Sequence, residues 1–219
     1  MVLRFIIFLL MALVAGCASL KNPELAARLD AIPSAQREGV HVWLVNSPID
    51  PLCLGGLPGL SGALREAGFP NVHFHLIPDA QGLASEIRHC LANRAGSRIA
   101  LVGWSGGSLA VWDATTSLAR DDVTIDLIAY LDSNWIVDRV NERDQPANFQ
   151  RLLLIYRHNN TPPVIDRAEV VRAATGNHMA IPNRRETIEA LIAALADLAS
   201  QGEPVHSSQS ADRDAAADR

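Results

Sequence analysis

Ile99-Ala100-Leu101-Val102-Gly103-Trp104-Ser105-Gly106-Gly107-Ser108-Leu109-Ala110-Val111-Trp112 is the stretch whose reading decides the fold. Its first four residues form the continuous apolar run expected of a strand covered on both faces. Its last five open a helix, and between the two a serine stands in the spacing G-x-S-x-G. Strand, sharp turn and helix in direct succession put the serine at the apex of a strained bend, with its hydroxyl lifted clear of the sheet. Gly103 and Gly107 are small so that strand and helix can pass close together. The same letters also describe a glycine-rich turn that binds an anion at a helix N-terminus.

Outward from this stretch, β-branched runs alternate with amphipathic ones. Strands are expected at 40–45, 71–77, 98–104, 124–131 and 151–156, with a short sixth at 169–173. Helices are expected at 60–67, 81–93 and 106–118, with another start at 134–140. For the final helix, Asn183 with Glu186 has the spacing of a capping box, and Ile188, Leu191, Ile192, Leu195 and Leu198 line one face. This alternation implies right-handed crossovers and a parallel, helix-covered open sheet of five to six strands, the α/β class. The organisation read from the chain is a leader at 1–16, a tether at 17–38 with room for a helical turn or two around 23–32, one folded domain at 39–200 and a disordered tail at 201–219. That tail is polar and carries no large apolar residue after Val205.

With the Gly103–Gly107 elbow and the order serine, acid, histidine, residues 40 to 200 resemble the α/β-hydrolase superfamily in its compact esterase- and lipase-like members. The resemblance implies a serine hydrolase that cleaves an ester or thioester through an acyl-enzyme, with Ser105 as nucleophile. His178, in the loop before the final helix, is where the superfamily places its base; His158, at the end of the fifth strand, is the other candidate. For the acid, Asp132 follows the fourth strand directly, and the alternative Asp166 lies one strand later, where many members carry it. Asp132 can also be read as a helix cap. The Gly106 N–H supplies one oxyanion donor. The second comes from the loop after the first strand, where Pro48 has no N–H and Ser47 or Ile49 remains. The resemblance implies neither a metal nor an organic cofactor. An acyltransferase on the same fold and a non-catalytic binding module are rival readings.

Composition narrows the field. Among 219 residues carrying a net charge of −5, Lys21 is the only lysine, so Schiff-base chemistry, a Walker-type lysine and a Ser-Lys dyad have no lysine in the folded body. No basic stripe points to nucleic acid. His73 and His75 share a strand face and could offer two metal ligands, but a solvated or packed face is the simpler reading.

At the N-terminus, Arg4, an apolar run from Phe5 to Val14, and Ala15-Gly16-Cys17 describe a secretory signal. Leu13 to Cys17 resembles the bacterial lipobox, which implies lipidation of Cys17 and, in a Gram-negative host with Ala18 following, an outer-membrane anchor facing the periplasm. An ordinary signal peptide or an uncleaved anchor is the alternative. Lipidation would leave Cys53 and Cys90, an even pair that a disulfide can join in an oxidising compartment. Cells fed an alkyne-tagged palmitate should incorporate it into the wild-type protein and not into Cys17→Ser; equal labelling of both would end the lipoprotein reading.

Overall fold

The computed structural model describes residues 22–76, 79–142, 144–173 and 176–201; Cys17, the apolar N-terminal run and the tail from 202 lie outside the described residues. Six strands, all parallel, form one sheet in the order β2-β1-β3-β4-β5-β6. They span Val40–Val45 (β1), Val72–His75 (β2), Arg98–Trp104 (β3), Ile125–Leu131 (β4), Phe149–Arg157 (β5) and Ala168–Ala173 (β6). The helices are Pro23–Asp30 (α1), Ser34–Glu38 (α2), Leu57–Glu66 (α3), Ala80–Asn93 (α4), Gly107–Ala119 (α5), Asn134–Glu142 (α6) and Arg185–Ser200 (α7), with a 3-10 helix at His178–Asn183.

Every residue of β1, β3 and β4 is buried, because helices cover both faces of the sheet. Alternate side chains divide between two cores. Val42, Leu44, Val102 and Ala129 pack with Leu60 and Leu64 of α3 and Leu191 and Leu195 of α7. Trp43, Leu101, Ile128 and Leu154 pack with Leu83 and Ile87 of α4 and Val111 and Leu118 of α5.

Three expectations need correction. The described part of the tether, from Asn22 on, is more ordered than the helical turn or two expected there. Asn22 caps α1 by accepting the Leu25 N–H at 3.1 Å, Pro23 opens the helix, and Leu25, Leu29 and Ile32 join the first core. The folded body therefore reaches back to α1. The capping box does not form either. Arg184 is extended and caps α7 without a side-chain bond, while the Asn183 side chain lies against Gly56 and Gly59. Finally, Cys53 and Cys90 are both free thiols. Cys53 lies beyond the carboxyl end of β1, with Sγ 4.0 Å from Asn46 Nδ2. Cys90 lies by Ser97, at the amino end of β3. Opposite edges of a parallel sheet separate them by a strand length, on the order of 20 Å, far beyond disulfide reach.

After β1 the chain moves outward to β2, then crosses back to place β3 on the other side of β1. The carboxyl ends of β1 and β3 thus flank the point where strand order reverses, the place an open parallel sheet offers a crevice.

On the α4 side of β1 and β2, the His73 ring stacks on Trp43 at 4.7 Å and on His41 at 5.7 Å. Glu86 accepts from Trp43 Nε1 at 3.2 Å and pairs with His75 at 3.1 Å. The face carrying His73 and His75 is therefore a packed polar layer. Burial, the Arg94 charge and the neighbouring His73 push the His41 pKa down to about 4. Burial also lowers that of His73. A histidine kept neutral in the folded state binds fewer protons there than when unfolded, so its stabilisation is full above the unfolded value near 6.5 and declines as pH falls towards 4. Urea unfolding should accordingly lose up to about 3 kcal/mol through His41 between pH 7 and pH 4. His41→Gln should flatten that dependence. An equally steep curve in the variant would refute the role given to this layer.

Candidate active site

The elbow is held by close approach. A Cβ on Gly103 would stand 2.5 Å from Ser108 Cα, and one on Gly107 would run into the carbonyl oxygens of Val45 and Asn46. Ser105, at the bend, has φ +52°, a left-handed backbone that costs a non-glycine residue energy. Bonds from both sides keep it there. Its N–H donates to Leu131 O at 3.0 Å, and its carbonyl accepts from Ser133 Oγ at 2.7 Å and from the Ser108 N–H at 3.1 Å.

Asp132 leaves β4 with φ +46°, its N–H bonded to Ile155 O at 2.8 Å and its side chain fully buried. His178 Nδ1 lies 2.7 Å from Asp132 Oδ2, so the structure brings these two predicted residues together. The carboxylate has further partners from the end of β5. Asn160 Nδ2 donates to Oδ1 at 2.8 Å and the Arg157 N–H at 3.3 Å, while Arg157 Nε makes an ion contact with Oδ2 at 2.6 Å. Burial by itself would raise the Asp132 pKa. The bonds from His178, Asn160 and the Arg157 N–H, with the Arg157 charge, outweigh it and hold the carboxyl below the ordinary aspartate range. Arg172 of β6 fastens the turn by donating to the carbonyls of Arg157, at 3.3 Å, and of Asn160.

His178 opens the 3-10 helix, which Asn177 caps by accepting the Ala180 N–H at 2.9 Å. Its ring rests on Trp104 with centroids 5.2 Å apart. Trp104, next to the nucleophile, thus serves as a floor for the imidazole. Among the described residues no hydrogen bond joins Ser105 to His178; such contacts are commonly long in unliganded enzymes and tighten around substrate.

On the oxyanion side, the Gly106 N–H has no backbone or side-chain acceptor among the described residues. Ser47 is fully buried, its Oγ has no partner, and that oxygen would stand 3.4 Å from a Cβ on Gly106. Ile49, whose N–H is the other candidate, stands two residues on in the same loop, with its side chain in solvent.

The remaining candidates lie apart. Asp166 precedes β6 beside Phe149, at the amino edge of the sheet, a strand length from His178. His158 is exposed beyond β5. Sequence reasoning missed Arg157, Asn160 and Asp50. Asp50 is buried and shapes the loop after β1 by accepting the N–H groups of Leu54 at 2.8 Å and Gly55 at 3.0 Å. An aspartate five residues before a Gly-Gly pair was the available signal for Asp50. Arg157 and Asn160 carried none.

No family model matches the chain, and no curated protein matches it. Among solved structures, the fold is similar to a protein from Pectobacterium atrosepticum described as a YdeN-like hydrolase, at 16% identity and a TM-score of 0.48, over 83% of this chain and 100% of that one. It is also similar to the NocB thioesterase domain, solved as a covalent complex with a fluorophosphonate nocardicin G analogue, at 15% identity and a TM-score of 0.47, over 72% of this chain and 95% of that one.

Proposed function

We propose that the protein is a serine hydrolase that cleaves an ester or thioester through an acyl-enzyme, working in the cell envelope on a lipid anchor at Cys17. The observation that carries the chemistry is the 2.7 Å contact of His178 with buried Asp132 at the sheet edge that also holds the strained Ser105. A serine hydroxyl is a poor nucleophile at neutral pH and needs a base to take its proton. Asp132 accepts from Nδ1 and so fixes the tautomer that leaves Nε2 free for that proton. Ser105 Oγ then bonds to the acyl carbon while its proton passes to Nε2. The carbonyl oxygen takes up the negative charge against the Gly106 N–H and the Ser47 donor. Collapse expels the leaving group, which takes the proton from His178. Water repeats the sequence on the acyl-enzyme and releases the acid.

Ser105→Ala and His178→Ala should each lower kcat by several orders of magnitude with little change in Tm, and the double variant should lose little more, because the groups act as a unit. Normal turnover in His178→Ala would move the base to His158.

Asp132→Asn should cost on the order of 10⁴ in kcat, by analogy with the serine-protease triad, with Asp166→Asn near wild type. The reverse pattern would overturn the assignment of the acid.

A further inference from the structure

Exposed apolar side chains are not spread evenly over this protein. Among the described residues, Ile49, Leu52, Leu54, Leu76 and Trp135 all sit beyond the carboxyl ends of the strands, and only Val164 and Val170 lie elsewhere. Three of the five belong to one loop after β1, where Ile49, Leu52 and Leu54 are 65%, 76% and 75% exposed. A cluster of this kind on a folded surface marks a place where something apolar binds.

The loop is built rather than slack. Asn46 Nδ2 donates to Asp50 O at 2.8 Å, and the Asp50 carboxylate accepts from Leu54 and Gly55. Cys53 closes the turn with φ +54°, donating its N–H to Asp50 O at 3.2 Å. Both ends are anchored in the site itself. The Pro48 ring lies against Gly106, Gly55 lies against the Trp104 ring, and the Gly56 N–H donates to Met179 O at 2.8 Å, one residue from His178. The loop therefore runs from the oxyanion side of Ser105 to the histidine side. Since β3 lies between β1 and β4, Trp135 stands across the edge, at the start of α6.

We propose that this loop seats the acyl chain of the substrate, with Leu52 and Leu54 as specificity-determining residues, and that the enzyme prefers straight apolar acyl groups over acetyl. The inference rests on the serine-hydrolase reading and gives it a substrate class. Because the loop is anchored at Gly106 and at Met179, on either side of Ser105, an acyl chain bound there has it as a neighbour, and covering the leucines removes apolar surface of both partners from water. Each methylene buried on all sides is worth about fourfold in kcat/KM, and about twofold if covered on one side only.

The test compares p-nitrophenyl acetate, butyrate, hexanoate and octanoate on the full chain, with Leu52→Ser/Leu54→Ser as the variant and Val164→Ser as the control on a distant exposed apolar residue. Wild type and control should gain about two- to fourfold in kcat/KM per methylene, and the double variant should lose most of its octanoate-to-acetate ratio at unchanged Tm. A flat profile in wild type would overturn the proposal, as would a rising profile that the double variant keeps. So would a concentration-dependent dimer in sedimentation that the double variant abolishes, since a second copy would then be the occupant. Absence of turnover of every ester, together with no labelling of Ser105 by a fluorophosphonate, is a different result: it would remove the underlying reading itself.

Discussion

The backbone of Gly107 lies directly against the carbonyl oxygens of Val45 and Asn46, and this approach governs most of what happens at the carboxyl edge of the sheet. It brings the start of α5 over the junction of β1 and β3, where strand order reverses. A side chain at Gly107 would push the helix away and release the bend that holds Ser105. The same approach draws the loop after β1 onto the elbow, so that buried Ser47 and the Pro48 ring come to rest beside Gly106. Ser105, Gly106, Ser47 and the apolar loop are thus positioned by a single packing constraint between one helix and one strand pair.

Asp132 and His178 answer to a different part of the sheet. Asp132 belongs to β4, yet Arg157 and Asn160 at the end of β5 supply most of its partners, and Arg172 of β6 steadies them. Three donors and the Arg157 charge around one buried carboxylate satisfy a charge that would otherwise be expensive to hold away from water. The network leaves the carboxylate ionised and correctly aimed at His178.

The sheet was legible in the sequence because its central strands are uninterrupted apolar runs, which only a two-sided burial explains. The elbow was legible for a related reason: close approach demands glycine, and glycine is visible as a letter. Asp132 was legible as a residue at the carboxyl end of a strand, whereas Asp166, read as lying one strand later, precedes β6 at the opposite edge. What stayed hidden depended on three-dimensional neighbours. Nothing in the order of letters tells that Arg157 and Asn160 turn back onto β4, or that Leu25 and Leu29 find room beside α7. The supposed disulfide failed for the same reason, because counting two cysteines says nothing about which edge each one occupies.

Asp132 Oδ1 and Asn160 Nδ2, 2.8 Å apart, reach one spot from the ends of two neighbouring strands. The Asn160 amide therefore holds one oxygen of the carboxylate while the other is aimed at His178. The end of β5 has to be in place before the charge at the end of β4 can be held away from water, so Arg157 and Asn160 are as much a condition of the ionised carboxylate as the strand that carries it.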